Sequence, residues 1–349
     1  MPLRIVYFGT PEFAVPALRA LIGSAHSVVA VVSQPDRPRG RGQKHQPTPT
    51  RVVAEAAGIT VLQPTRLKDE ALLDALRAVA PDLGVVAAYG RIIPDVMLRL
   101  PRLGMINIHA SLLPKHRGAA PVHRAVIDGD AETGVTIMRV VTELDAGPMF
   151  STGRRPIGPD ETTPEVERAL AELGTVLALD VIDRLADGTA VEVPQEHAGA
   201  TYARKIERAE GAIEWTLPAA QIHNFVRGLQ PWPLVTARLD GTRCSIHRTR
   251  LSDDLSADVA GTITTASGSV LAVAAGDGRV LHILEVQPEG KRVMTARDFM
   301  AGRRIDPGAL IARDTSRDLA GDPAATDAPG TERKRVEGAR RGAGDPADK

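Results

Sequence analysis

The stretch RIVYFGTPEFAVPALRALIGSAHSVVAVV, residues 4–32, decides the fold of the first half of the chain. It begins with an apolar run that ends at Gly9, continues with helical apolar spacing over residues 13–22, and ends with a second apolar run at residues 28–32. This order predicts a strand, a helix and a second strand. Because both strands are apolar on both faces, we expect a parallel sheet that is covered by helices on each side.

The same alternation continues towards residue 185. The pattern predicts helices at 52–57, 71–79 and 164–185, and strands at 59–62, 83–88, 105–108 and 135–140. The predicted fold class is therefore α/β, with a Rossmann-like parallel sheet. Ligands of such sheets bind beyond the carboxyl ends of the strands, where Gly9, Tyr89, Asn107 and their following loops would lie.

The pattern changes beyond about residue 209, where short strands replace the alternation. One predicted helix, 219–228, precedes strands at 235–239, 244–248, 261–264, 270–274 and 280–286. Short strands separated by turns such as Asp240-Gly241 predict a small, OB-like antiparallel β-barrel. We therefore divide the chain into a first domain (1–189), a linker (190–208), a barrel domain (209–312) and a disordered tail (313–349).

Composition restricts the function. The 43 basic and 43 acidic residues give no net charge, so a nucleic-acid surface would have to be a local patch. The single cysteine, Cys244, excludes an intramolecular disulfide and fits a reducing compartment. The sequence shows no secretory signal, membrane span or metal-ligand spacing. We expect a cytoplasmic monomer that binds neither a membrane nor a metal.

A basic segment, SQPDRPRGRGQKHQPTP at residues 33–49, lies between two predicted elements. It sets Arg37, Arg39, Arg41 and Lys44 among glycines and prolines, which packing does not explain. One interpretation is a solvated surface loop. The other is a flexible arm that binds phosphates through charge-assisted hydrogen bonds.

Three polar residues follow strands of the predicted sheet. Asn107 and His109 are two positions apart on one strand and therefore point to the same side. Asp145 lies in a loop before a Gly-Pro turn, where a carboxylate could hydrogen-bond an imidazole and fix its tautomer. Each residue alone also fits a structural role, but an amide, an imidazole and a carboxylate at strand ends together suit proton transfer.

The motifs that contain these residues resemble those of the methionyl-tRNA formyltransferase family. They are FGTPEFA (8–14), QPDRPRGRG (34–42), AYGRIIP (88–94), INIHASLLPKHRGAAP (106–121) and ETGVTIMRVVTELDAGPM (132–149). The resemblance covers about residues 1–310. The SLLP segment and the Asn, His and Asp trio are common to folate-dependent formyltransferases, whereas the arginine-rich segment and the barrel narrow the acceptor to tRNA.

The resemblance implies transfer of a formyl group from 10-formyltetrahydrofolate to the α-amino group of initiator methionyl-tRNA, a step of translation initiation. It makes Asn107, His109 and Asp145 the catalytic residues. It implies a folate pocket of Ser111, Leu112, Leu113, Pro114, Ala88, Tyr89, Gly90 and Ile92. The predicted tRNA contacts are Arg37, Arg39, Arg41, Lys44, Arg204, Lys205, Arg243 and Arg248.

Three other functions stay open on the sequence. A formyltransferase for a small amine or a sugar would keep the chemistry, although the enzyme that formylates glycinamide ribonucleotide would be about as long as the first domain alone. A dinucleotide-dependent oxidoreductase would suit the fold, but the first turn reads GTPEFA and lacks the GxGxxG glycines. A non-catalytic RNA-binding module would leave the Asn, His and Asp trio without a role.

Overall fold

Two sheets organise the chain in a computed structural model, which describes residues 1–39, 44–212 and 214–313. Arg41 of the basic segment and residues 314–349 of the predicted tail lie outside the described residues. The first sheet is mainly parallel and the second is antiparallel.

The first half of the chain alternates strands and helices. Its strands are β1 (Arg4–Gly9), β2 (Ser27–Val32), β3 (Arg37–Arg39), β4 (Lys44–Gln46), β5 (Val61–Leu62), β6 (Leu83–Ala87), β7 (Met105–His109), β8 (Arg117–Gly118), β9 (Glu132–Arg139) and β10 (Met149–Pro156). Its helices are α1 (Val15–Ile22), α2 (Pro49–Ala56), α3 (Glu70–Ala78), α4 (Asp95–Leu98), α5 (Pro121–Ile127) and α6 (Thr163–Asp187).

The first sheet has the strand order β10-β9-β7-β6-β1-β2-β5. Strands β5, β2, β1, β6 and β7 run parallel, and β9 and β10 add an antiparallel edge. Apolar residues of α1 and α6 cover one face, and those of α3 and α4 cover the other. Burial on both faces explains the unbroken apolar runs of the parallel strands, and the predicted α/β class is confirmed.

Neighbouring strands bring the polar segments to one edge of this sheet. Strands β1, β6 and β7 are adjacent and parallel, with Gly9 opposite Ala87 and Val86 opposite Asn107. Their carboxyl ends therefore meet, and the loops that follow them form the walls of one site.

The second half of the chain contains a short strand that pairs with β8, followed by the predicted barrel. Its elements are β11 (Tyr202–Ala203), α7 (Ala219–Gly228), β12 (Val235–Leu239), β13 (Thr242–Leu255), β14 (Ile263–Ser267), β15 (Val270–Ala274), β16 (Arg279–Pro288), β17 (Met294–Thr295), α8 (Ala296–Met300) and β18 (Ala312–Arg313). The strand order is β14-β15-β16-β13-β12-β18, and β17 pairs with β16.

The last described residues close this barrel. Strand β18 pairs with β12 at one end of the sheet order. At the other end, Ile263 N donates to Ala309 O (2.8 Å), and Gly308 N donates to Ile263 O (2.8 Å). Residues 308–313 therefore pair with β12 on one side and with Ile263 of β14 on the other. These parts of the two edge strands are not left with unpaired backbone groups.

The two domains share a packed interface. Ile127 at the end of α5 belongs to the apolar core of the barrel, and Gly228 of α7 lies so close that a Cβ there would approach Ile127 Cγ1 to 2.5 Å. Arg124 of α5 forms a mostly buried ion pair with Glu210, with its Nη1 at 2.6 Å from Oε2. The interface therefore combines apolar packing with a paired charge.

The structure contains elements that the sequence pattern did not predict, including the buried helix α5. Strand β10 was also not predicted, because only its first two residues are apolar and it contains Gly153 and Pro156. The basic segment, expected to be an irregular arm, contains the antiparallel pair β3 and β4. Within the described residues, no helix is long and apolar enough to cross a membrane.

Candidate active site

His109 ends strand β7 with its ring almost fully buried, at 5% exposure. Its Nε2 lies 3.0 Å from the carbonyl oxygen of His116. A carbonyl oxygen can only accept, so Nε2 carries a hydrogen. In the neutral ring Nδ1 is then the basic nitrogen, and it faces Asp145 Oδ2 at 3.8 Å.

Asp145 occupies the loop between β9 and β10 in a left-handed conformation, with φ of +49°. Aspartate adopts this region more readily than most residues. Its Oδ2 accepts a hydrogen bond from Gly118 N at 2.8 Å. The carboxylate is therefore held in place by the main chain, beyond hydrogen-bonding distance of His109 but close enough to stabilise a positive charge on the ring.

Asn107 lies two residues before His109 and points to the same side of the sheet. Its side chain is partly buried. Within the described residues the Asn107 amide has no hydrogen-bond partner. An unpaired amide beside a histidine and a carboxylate is available to donate to a reacting oxygen.

The loop after His109 is fixed by one buried threonine of β9. Thr136 Oγ1 donates to Ser111 O (2.8 Å) and accepts from Leu113 N (3.2 Å). Ser111 is fully buried, and its hydroxyl donates to Lys115 O at 2.6 Å. Ser111 is therefore bonded within the protein, while Leu112 and Pro114 are partly exposed.

The loop after β6 presents mainly its backbone to the site. The Tyr89 side chain is buried against Phe8, and burial raises the pKa of its hydroxyl to about 12. Its carbonyl accepts from Gln34 Nε2 at 2.8 Å. Only the main chain of Tyr89 can therefore contact a ligand, whereas Ala88, Gly90 and Ile92 are exposed.

The predicted linker runs along this site and pairs with it. Strand β11 pairs in parallel with β8, and Thr201 O accepts from Arg117 N at 2.8 Å. Strand β11 lies so close to β8 that residue 118 must be glycine, because a Cβ there would lie 2.8 Å from Ala203 O. Sequence reasoning missed these contacts, because an extended segment carries no periodicity that reveals its partner.

The predicted tRNA contacts are spread over both domains. Arg37 and Lys205 are exposed. Arg204 pairs with Glu210 at 3.2 Å, Arg243 with Glu289 at 3.3 Å, and Arg248 with Glu165 at 2.9 Å. To bind a phosphate, the guanidinium groups of Arg204, Arg243 and Arg248 would therefore have to leave these carboxylates or contact the carboxylate and the phosphate together.

The described part of the chain holds no group of three or more His, Cys, Asp or Glu side chains that could bind a metal ion. At this edge of the sheet the fold brings the Asp145 carboxylate to His109, which lies two residues after Asn107 on β7.

Family profiles match both halves of the chain. The profile described as "Formyl transferase" matches residues 3–182, and the one described as "Formyl transferase, C-terminal domain" matches residues 205–304. The methionyl-tRNA formyltransferase of Moorella thermoacetica is 44% identical over 309 residues, which are 88% of this chain and 99% of that protein. The chain belongs to the methionyl-tRNA formyltransferase family. The enzyme of this name from Methylococcus capsulatus is 45% identical over 308 residues, 87% of this chain and 99% of that protein.

Solved structures with low sequence identity share the fold. An N-formyltransferase from Helicobacter canadensis, solved with folinic acid and dTDP-3-aminofucose, has a TM-score of 0.63 at 17% identity over 82% of this chain and 99% of that one. HypX from Aquifex aeolicus, solved with tetrahydrofolic acid, has a TM-score of 0.60 at 14% identity over 86% of this chain. The chain covers 47% of HypX, about half its length.

Membership of the methionyl-tRNA formyltransferase family confirms the sequence-based prediction of a folate-dependent formyltransferase. The enzyme uses 10-formyltetrahydrofolate as the formyl donor. Four supporting residues were not predicted from the sequence: Thr136, His116, Arg117 and Gln195. Each acts through a buried contact that only the fold reveals.

Proposed function

We propose that Asn107, His109 and Asp145 catalyse formylation of the α-amino group of initiator methionyl-tRNA. The observation that carries the proposal is the arrangement around His109. One ring nitrogen is occupied by the His116 carbonyl, and the other faces the Asp145 carboxylate beside the unpaired Asn107 amide.

The reaction needs one new bond, one broken bond and one proton transfer. The neutral methionine amine attacks the formyl carbon of 10-formyltetrahydrofolate, and the carbonyl oxygen becomes an oxyanion. Asn107 donates a hydrogen bond to that oxyanion. His109 Nδ1 takes a proton from the attacking nitrogen and delivers it to the folate N10 as the carbon–N10 bond breaks.

Asp145 stabilises the protonated, positively charged ring of His109, which exists between the two proton transfers. Protonation at Nδ1 places a positive charge 3.8 Å from Asp145 Oδ2. The carboxylate does not need to take up the proton, because its role is electrostatic. Its bond from Gly118 N keeps it in position in both states of the ring.

We propose that the folate binds between the two loops named from the sequence. Leu112 and Pro114 form one wall, and Ala88, Gly90 and Ile92 form the other. Ile92 supports this proposal, because an apolar side chain that is 80% exposed gains free energy when a ring covers it. The side chains of Ser111, Leu113 and Tyr89 are buried, so we propose that they shape the two loops and do not contact the folate directly.

We propose that the tRNA spans the basic segment and the barrel. Arg37, Arg39, Arg41 and Lys44 would contact the acceptor stem, and Arg204, Lys205, Arg243 and Arg248 the phosphate backbone. An Arg41→Leu variant should bind and formylate the charged tRNA more weakly, and unchanged affinity and rate would remove the segment from recognition.

The division into 1–189, 190–208 and 209–312 remains our proposal for the domains, although the middle part is paired with the first. We also propose that the enzyme acts as a monomer in the cytoplasm, where charged tRNA is available. Sedimentation at enzymatic concentrations tests the oligomeric state, and a stable dimer would contradict it.

The direct test is transfer of labelled formyl from 10-formyltetrahydrofolate to methionyl initiator tRNA. Uncharged tRNA and glycinamide ribonucleotide serve as controls. We expect label on the charged tRNA alone. Labelling of the small amine would keep the folate site and exclude the tRNA assignment, and no labelling would contradict the catalytic assignment.

A further inference from the structure

Gln195 lies in the predicted linker, yet its side chain is buried, at 5% exposure. Its Nε2 donates to Asp145 O at 2.9 Å and to Gly147 O at 2.7 Å. Its Oε1 accepts from Arg117 Nε at 3.2 Å and from Nη2 at 2.8 Å. Both amide hydrogens and the carbonyl oxygen are thus in use, and the two donated bonds reach the chain on each side of residue 146.

The partner of this amide belongs to the other loop of the site. Arg117 is 1% exposed and stands between His116, whose carbonyl bonds His109, and Gly118, whose N–H bonds Asp145. Its guanidinium group also contacts Glu143 Oε1 at 3.6 Å and His197 Nδ1 at 3.3 Å. Gln195 therefore links the loop that holds His109 to the loop that carries Asp145.

The Asp145 loop needs such a link. Residue 145 has a positive φ, which costs a non-glycine residue free energy that surrounding contacts must offset. The bonds from Gln195 to Asp145 O and Gly147 O hold the main chain in this conformation. Without them, the bond from Gly118 N would have to hold the Asp145 carboxylate near His109 while the main chain around it is less constrained.

We propose that Gln195 is a positioning residue for formyl transfer, which keeps the Asp145 carboxylate opposite His109 Nδ1. The proposal rests on the catalytic roles given above to His109 and Asp145. It adds a residue of the interdomain segment to the active centre. Gln195 itself touches neither substrate.

The decisive variant is Gln195→Glu. Glutamate has the same length and still accepts from Arg117, but its second oxygen has no hydrogen to give to two carbonyl oxygens. We expect kcat to fall at least about 10-fold, because small misplacements of catalytic groups are costly, with little change in KM for the folate. Glu196→Gln, a change of the exposed neighbouring residue, is the matched control and should leave kcat unchanged.

Two readouts separate positioning from a general structural defect. The ratio of variant to wild-type kcat should rise as the pH is lowered, because the introduced carboxyl group regains a donor when it is protonated. In an Asp145→Asn background, Gln195→Glu should cost far less than in the wild type, since the group that it positions is already altered. Additive losses, or a pH-independent ratio, would overturn the proposal.

The outcomes distinguish a failure of the Gln195 proposal from a failure of the proposed mechanism. If Asp145→Asn impairs kcat but Gln195→Glu does not, only the role of Gln195 is wrong. If Asp145→Asn turns over normally, the proposed mechanism fails and the role of Gln195 fails with it. If Gln195→Glu does not fold, Gln195→Asn replaces it: its amide is one methylene shorter and cannot reach both carbonyls. Normal kcat in that variant would contradict positioning.

Discussion

A histidine ring has two nitrogens, and at residue 109 a hydrogen bond to the main chain occupies one of them and leaves the other facing Asp145. The sequence suggested that Asp145 would fix the tautomer. In the structure the His116 carbonyl does so through Nε2, and Asp145 stands 3.8 Å from Nδ1. The three side chains were predictable from their motifs, but the allocation of nitrogens was not, because it depends on a carbonyl whose position follows from the fold.

The first prediction concerns Asn107 and His109. Asn107→Ala and His109→Ala should each lower kcat by about 100-fold or more, because in the proposed mechanism each removes a group that acts on the transition state. Steady-state assays with charged tRNA measure the effect, with thermal unfolding as the control for folding. Near-normal turnover in either variant would remove that residue from the mechanism.

A second prediction concerns His123 of α5, whose ring is largely buried. Burial, and next the positive charge of Arg124, lower its pKa to about 4 from 6.5. The folded state thus favours the neutral ring. The stability that depends on it is complete above pH 6.5 and is lost as the pH falls towards 4, by up to about 1.4 kcal/mol per pH unit.

Urea unfolding of the wild type and of His123→Gln, from about pH 7.5 to about pH 4.5, measures this dependence. The difference between the two proteins reports on residue 123 together with Glu167, whose carboxylate lies 3.9 Å from His123 Nδ1 and whose pKa burial raises to about 7. We expect the variant to show a shallower loss of stability with falling pH. Parallel curves would show that His123 is not held neutral.

At the scale of elements, the apolar strands were predictable and the polar contacts between elements were not. Strands β1 and β6 are apolar on both faces, so their sequences allow few alternatives. Helix α6 is preceded by Thr162, which forms a capping box with Glu165 that the sequence contains. The pairing of Glu165 with Arg248 of β13, in contrast, joins residues 83 positions apart.

The third prediction tests this helix end. Glu165 accepts from Thr162 N at 2.7 Å, and this bond, against the opposing effect of burial, lowers the pKa of the carboxyl group below its ordinary 4.5. Glu165→Ala should reduce the free energy of unfolding by about 1 kcal/mol at pH 7.

The pH dependence of the stabilisation by Glu165 follows from the direction of its pKa shift. A carboxyl group whose pKa is lowered by folding stabilises the folded state above pH 4.5, and this contribution is lost as the pH falls through the folded-state pKa. The gap in stability between wild type and Glu165→Ala should therefore narrow in acid. Glu172→Ala, at an exposed carboxylate further along the same helix, serves as the matched control. A gap that widens in acid would contradict the capping role.

At the scale of the whole molecule, the end of the described chain completes the barrel. Residues 308–311 bond Ile263 and Gly261, and β18 pairs with β12. The curated relatives align at nearly their full length over about 309 residues. The barrel's existence was predictable from its turns and short strands, but its closing segment was not, because it is too short and irregular to carry a pattern.

The fourth prediction compares two truncations. A chain that ends at residue 313 should unfold at the same temperature as the full chain and retain its formylation rate. A chain that ends at residue 307 should unfold at a lower temperature, because it leaves backbone groups of β12 and β14 without partners. Thermal unfolding measures both, and equal stability of the two truncations would contradict the closing role of residues 308–313.

The pairing of β8 with β11 determines where the barrel of one related enzyme could be joined to the first domain of another in a chimeric protein. Recombination is usually planned between domains, and a crossover at residue 189 would look natural on the sequence. Such a crossover would replace Gln195, Thr201 and Ala203, all of which contact the loops of the recipient's active centre. A chimera that is joined after residue 204 keeps these contacts with the chain they fit, so exchanging the barrel there should leave the loops around His109 and Asp145 intact.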